Sequence, residues 1–231
     1  MSENRALPSQ LGVRPAAELA NRFLVQSFGW MFAGLLLTAG VAAVVQGQES
    51  LINSIARAWI FIIFGQLGLA IAIQGLMPRM SATLGLALFF VFAATMGFTV
   101  GVIVSLYTLP SVVTAFLAAS AMFGAAAVYG ATTKRSLNGL GGYLFMGMIG
   151  LVVASIVNLF LGSNPLGWAI SLIGVIVFTV YTAYDVQRIS FGDYAAALGS
   201  VEKASVLGAI HLYINFVNLF LFLLRLMGSR R

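Results

Sequence analysis

The chain has no cysteine, a single histidine and only six acidic residues among 231. Without cysteine there are no disulfides, no thiolate metal sites and no cysteine nucleophile. One histidine, His211, cannot build the usual zinc ligand set. Nor does any glycine-flanked serine motif accompany it, as a serine hydrolase would need. The lysines are Lys134 and Lys203, both between apolar runs, so a retinal Schiff base in the last span is excluded. No enzyme is expected. Charge is scarce too: 8% of residues are Asp, Glu, Lys or Arg, where a soluble domain carries about a quarter.

What fills the chain instead is apolar: 61% of residues are hydrophobic and the mean hydropathy is +1.02. Windows near twenty residues long without a formal charge predict membrane-spanning helices, since lipid leaves the backbone no other way to satisfy its hydrogen bonds. The expected fold class is an all-α polytopic membrane protein with seven transmembrane helices, near residues 24–46, 58–77, 83–106, 111–130, 140–162, 166–187 and 206–227. Pro78, Pro110 and Pro165 punctuate the gaps. Short connections then force antiparallel hairpins and one bundle, so residues 24–231 form a single transmembrane domain behind a polar arm, 1–23. Gly97 and Gly101, four apart, have the spacing that lets helices pack closely.

The net charge of +6 would suggest nucleic acid in a soluble protein, but here the basic residues sit in short loops, where they set orientation. The partners expected are membrane lipids, not nucleic acid. With the amino terminus cytoplasmic, Arg5, Arg14, Arg22, Arg79, Lys134, Arg135, Arg188 and Lys203 fall on the cytoplasmic side, and the intervening outer loops hold Arg57. The carboxyl terminus, with Arg230 and Arg231, is then outside, unless the last segment is re-entrant. In the arm, Pro15 near a helix start and the pair Glu18 and Arg22, four apart, suit a short interfacial helix.

Ionisable and amide groups inside the bilayer are costly enough to mark functional sites. In FTVYTAYDVQRI, residues 178–189, an apolar run climbs into Tyr181, Tyr184, Asp185 and Gln187. The last span places His211, Asn215 and Asn218 at i, i+4 and i+7, on one helix face. Spans six and seven run in opposite directions from a common loop. Asp185 and His211 should therefore share a shallow depth, with Asn215 roughly 6 Å deeper than His211. One reading is structural, with these groups hydrogen-bonding neighbouring helices. The other is a polar track through Tyr181, Tyr184, Gln187 and Asn218, gated by Asp185 with His211, the side chain most able to change charge near neutral pH. A proton-coupled transporter is less favoured, because no inverted repeat or paired broken helices are visible.

FGAAAVYGATTKR at 123–135, GLGGYLFMGMIGLVVASIVNLFL at 139–161, TAYDVQRI at 182–189 and LYINFVNLFLFLLRLMG at 212–228 together resemble the bacterial branch of the Bax-inhibitor-type (transmembrane Bax inhibitor motif, TMBIM) family, over nearly the whole chain from span one onward. The resemblance implies a last helix that is central, surrounded by the other six, and a bacterial cytoplasmic (inner) membrane location. It also implies calcium leak, governed by a pH-sensitive latch of two aspartates, one on span six and one on span seven. Asp185 matches the first. Where the family has L-Y-L-D-F this chain reads Leu212-Tyr-Ile-Asn215-Phe, so Asn215 replaces the second aspartate. An Asp/Asn pair lacks the like-charge repulsion that lets two carboxylates share a proton, and His211, one turn earlier, is the candidate replacement switch. With one carboxylate fewer, Asp185 would hold calcium only weakly, so calcium is expected as a permeant ion and no cofactor as resident. A second implication belongs to another class: some bacterial relatives modulate a membrane-bound AAA protease of the FtsH type, which the arm, 1–23, would engage.

Overall fold

The computed structural model describes residues 17–231. Eight α-helices follow one another there: α1 (Ala17–Gln46), α2 (Glu49–Leu76), α3 (Ala82–Ser105), α4 (Leu109–Thr132), α5 (Gly141–Leu161), α6 (Asn164–Ser190), the short α7 (Asp193–Leu198) and α8 (Val201–Met227), with a 3-10 turn, Asn138–Leu140, leading into α5. All but α7 are long and apolar enough to cross a membrane, giving seven spans.

Helices α1, α2, α4, α6 and α8 start ahead of the apolar windows that announced them because local signals, not hydropathy, set helix ends. Ser81, Ser163 and Ser200 cap α3, α6 and α8 by accepting from Leu84, Leu166 and Lys203 backbone N–H groups. Pro110 and Pro165 occupy the first turns of α4 and α6, where a missing N–H costs nothing. The last span therefore starts at Val201 rather than 206, and carries Glu202 and Lys203 in its first turn. At the other end of the chain, α1 runs without a break from Ala17, so residues 17–23 of the expected arm continue the first span. Residues 1–16, with Pro15 and the start of the expected interfacial helix, lie outside the described residues.

The core gathers around α8. Of its most apolar window 67% is buried, against 17% for α2 and for α5. Its neighbours are α1, α3, α4, α6 and α7. The expected ring of six around it is thus two-layered: α2 leans mainly on α3, and α5 on α6. Gly97 and Gly101 do pack as their spacing suggested. A Cβ on Gly97 would stand 2.6 Å from the Val41 Cβ and one on Gly101 2.8 Å from that of Val45, so α3 meets α1 with no room for a methyl group.

Two contacts fix which helix ends share a face. Lys203 Nζ donates to the Pro78 carbonyl at 3.1 Å, joining the start of α8 to the α2–α3 turn. At the other face the chain's last residues pair with the α3–α4 connection: Thr108 N–H donates to Ser229 O at 3.1 Å and Arg231 N–H to Leu106 O at 3.0 Å. The Arg230 guanidinium lies 5.9 Å over the Tyr107 ring. The last segment is therefore a full span and not re-entrant.

Candidate functional site

Asp185 stands on α6, five residues before its end, and is 1% exposed. Its carboxylate meets three groups. Asn215 Nδ2, from α8, donates to Oδ2 at 2.7 Å. Tyr194 Oη, from α7, donates to Oδ1 at 3.0 Å. His211 Nδ1, one turn before Asn215 on α8, lies 3.5 Å from Oδ1. Three elements thus converge on one buried anion, each charge-assisted hydrogen bond of a kind that contributes ~1.5–3 kcal/mol.

The cluster is sealed on its membrane side and opens toward the connection between α6 and α8. Asn215 is 3% exposed, whereas the side chains of His211 and Arg188 are each 23% exposed. The Tyr194 ring lies 5.4 Å from that of His211 on one side and 4.7 Å from the Arg188 guanidinium on the other. Arg188 in turn pairs with Asp193 at 3.6 Å. Burial first, and the Asp185 charge next, push the Tyr194 hydroxyl well above its ordinary range, so it remains a donor at any physiological pH.

The sequence brought Asp185, His211 and Asn215 together; the other expected members of the track bind elsewhere. Gln187, 1% exposed, accepts from Leu137 N–H at 2.7 Å and donates to Arg135 O at 2.8 Å, pinning the α4–α5 connection to α6. Asn218 donates to Ile214 O of its own helix at 2.8 Å. Tyr181 packs among Phe178 and Tyr184, and the Tyr184 hydroxyl covers Gly141. Beyond Asn215 the buried face of α8 continues as Leu219, Phe220, Leu223 and Leu224, so these polar residues do not form a continuous line across the bundle.

Tyr194 and α7 escaped the reading of the sequence. The available signal was FGDYAAALGS, residues 191–200, in which Gly192 and Gly199 bracket a short helix-favouring run. Both glycines adopt the left-handed conformation, at φ 73° and 63°, which lets the chain turn into and out of α7. A second polar contact of α8 was also missed. Tyr213, with no exposed surface, shares a hydrogen bond of 2.6 Å with Thr38 Oγ1 on α1. Thr38 in turn reaches Ala93 O on α3 at 2.9 Å. Phe89 and Phe92 stand edge-on to the Tyr213 ring at 5.4 and 5.8 Å.

Among the described residues no three His, Asp or Glu side chains converge as metal ligands. A calcium ion at Asp185 would have to take oxygens now used by Asn215 and Tyr194.

Residues 20–231 match the family described as "Inhibitor of apoptosis-promoting Bax1". The chain is 41% identical over 225 residues to the inner membrane protein YbhL of Escherichia coli, covering 95% of this chain and 96% of that one. It is 39% identical over 218 residues to a protein of Borreliella burgdorferi (92% and 94% covered) and 38% over 209 residues to one of Deinococcus radiodurans (90% of each). A match of this extent, on a bundle of seven helices long and apolar enough to span a membrane with the last at its core, places the chain in the Bax-inhibitor family of multi-pass membrane proteins.

Proposed function

We propose that the protein is a pH-sensitive cation leak channel, calcium being the favoured ion, with a modified Asp/Asn latch between α6 and α8. The observation that carries this reading is the ionisable cluster at Asp185, a charge inside a membrane bundle shared by α6, α7 and α8. A carboxylate there is costly, and an ionisable residue inside a membrane bundle is by default a mark of an ion or proton path. The likeness to the inner membrane protein YbhL supports a cytoplasmic-membrane location. The basic residues of the α2–α3 and α4–α5 connections support a cytoplasmic amino terminus.

The latch works by electrostatics. With Asp185 ionised, donors from α7 and α8 hold α6 in place and the conduction path is shut at this level. Facing His211 are Asp185 from α6 and the Tyr194 ring from α7, with Arg188 behind that ring. A proton gained by His211 would turn its 3.5 Å approach to Asp185 into an ion pair and tighten the latch, so flux falls on acidification. Asn215 cannot share a proton with Asp185, which leaves His211 as the switch. Asp185 alone attracts calcium weakly, as suits an ion that passes rather than stays.

The test is calcium flux into liposomes carrying the purified protein, across roughly pH 5–8. Wild type, Asp185→Asn, Asn215→Asp and His211→Ala are compared. The reading expects pH-dependent flux, raised by Asp185→Asn, shifted in its pH midpoint by Asn215→Asp, and flattened by His211→Ala. A pH dependence untouched by His211→Ala removes the histidine from the switch. If no variant conducts, the channel is overturned, and deletion of residues 1–16 against an FtsH-type protease becomes the experiment to do.

A further inference from the structure

The seam between α6 and α8 carries a charge at each end. Asp185 stands at one end, in the latch. At the other, Arg225 in the last turn of α8 is exposed and lays its guanidinium where a Cβ of Gly167 would be, over the first turn of α6. Among the described residues no acidic side chain answers it: Asp185, Asp193 and Glu202 belong to the latch end, and Glu49 begins α2, which leans mainly on α3. The carbonyl end of α8 favours a cation there and the amino end of α6 opposes one. These offset each other, and a full positive charge stands at this mouth.

Between the two charges α6 turns one stripe toward α8. Gly167, Ser171, Gly174, Phe178, Thr182 and Asp185 recur along it at steps of three and four residues. Two side chains of α8 fill its small positions: Arg225 at Gly167 and Phe222 at Gly174, where an added Cβ would stand 2.5 Å from the ring. Phe222 also lies 5.9 Å from Phe178, so the middle of the seam is closed by two rings. Small residues alone are a packing device. What marks this end is Asn158 on α5, whose Nδ2 lies 3.1 Å from the same Cβ position at Gly167. Asn158 is 8% exposed and its Oδ1 has no hydrogen-bond partner. A buried oxygen left open is costly, and it is the kind of ligand that replaces water on a permeating cation.

We infer, resting on the channel reading above, that ions cross along this seam and that Arg225 sets how readily a cation enters it from the end opposite the latch. A fixed positive charge at a narrow mouth repels a cation in proportion to the product of the two charges, as an arginine does in other selective pores. A doubly charged ion is held back most. A path whose one carboxylate attracts calcium is thereby kept to a slow leak.

The experiment is calcium flux into liposomes carrying the full chain, at one fixed pH and low ionic strength, for wild type, Arg225→Lys, Arg225→Gln and Arg225→Glu. Each unit of positive charge removed should raise the initial rate about threefold to tenfold, so that Arg225→Glu is fastest and Arg225→Lys stays within about twofold of wild type. Added impermeant salt should compress the series. Arg57→Gln removes an exposed charge from α2, which begins at the same face but lies off the seam, and its rate should stay within about twofold of wild type. Rates that do not follow the charge at Arg225, or an equal rise with Arg57→Gln, would overturn the assignment and leave the channel reading in place. If neither wild type nor any variant passes calcium, the channel reading falls and this inference falls with it.

Discussion

Two residues of α8 only one position removed from being neighbours, Tyr213 and Asn215, make buried polar contacts of opposite character. Tyr213 faces α1 and α3, bonds a neutral threonine hydroxyl at 2.6 Å and is walled in by Phe89 and Phe92. Asn215 faces α6, bonds the Asp185 carboxylate at 2.7 Å and belongs to a cluster whose His211 and Arg188 touch solvent. The first contact has no titratable partner and nowhere for a proton to come from. The second has both. A buried hydrogen bond in this bundle becomes a candidate switch when one partner is charged and another reaches water, not merely because it is buried.

That contrast can be broken in three ways. The largest effect is expected for Asn215→Leu, which leaves a buried carboxylate short of a donor. It should cost ~2–3 kcal/mol in unfolding free energy by denaturant titration in detergent near neutral pH. Next comes Tyr194→Phe, which keeps the ring against Arg188 and removes only the hydroxyl. It should cost ~1–2 kcal/mol, concentrated in α7, so that residues 193–198 lose hydrogen-exchange protection while α1 and α3 keep theirs. The smallest is Tyr213→Phe, a loss of ~1 kcal/mol that is the same at pH 5 and pH 8 and leaves any pH dependence of flux intact. If Tyr213→Phe moves that pH dependence as far as Asn215→Leu does, the two contacts are not distinct.

Much of this is legible in the sequence. Hydropathy located every span, because a run that must be apolar over some twenty residues is a strong signal, and the spacing of His211 and Asn215 put them on the face that meets Asp185. Gln187 illustrates what such a signal omits. Its position beside Asp185 suggested the same role, but adjacent residues of a helix point about 100° apart, and two positions on it serves the Arg135–Leu137 loop instead. Tyr194 was hidden for a different reason. A six-residue helix shows too little periodicity to declare itself, and its value comes from a contact with Asp185 that only the two glycine turns make reachable.

The pairing of the last residues with the α3–α4 connection also has a mechanical meaning. Backbone bonds at Ser229 and Arg231 hold the far end of α8, while side chains around Asp185 hold its middle. Any tilt of α8 about that far end is felt at the latch. From Met227 back to Asn215 is about 18 Å of helix at ~1.5 Å per residue, so a swing of only ~3° about the tail carries Asn215 by about 1 Å. That is enough to take a 2.7 Å hydrogen bond past its useful range, so the backbone pairing of the carboxyl-terminal residues bears on the geometry of the latch.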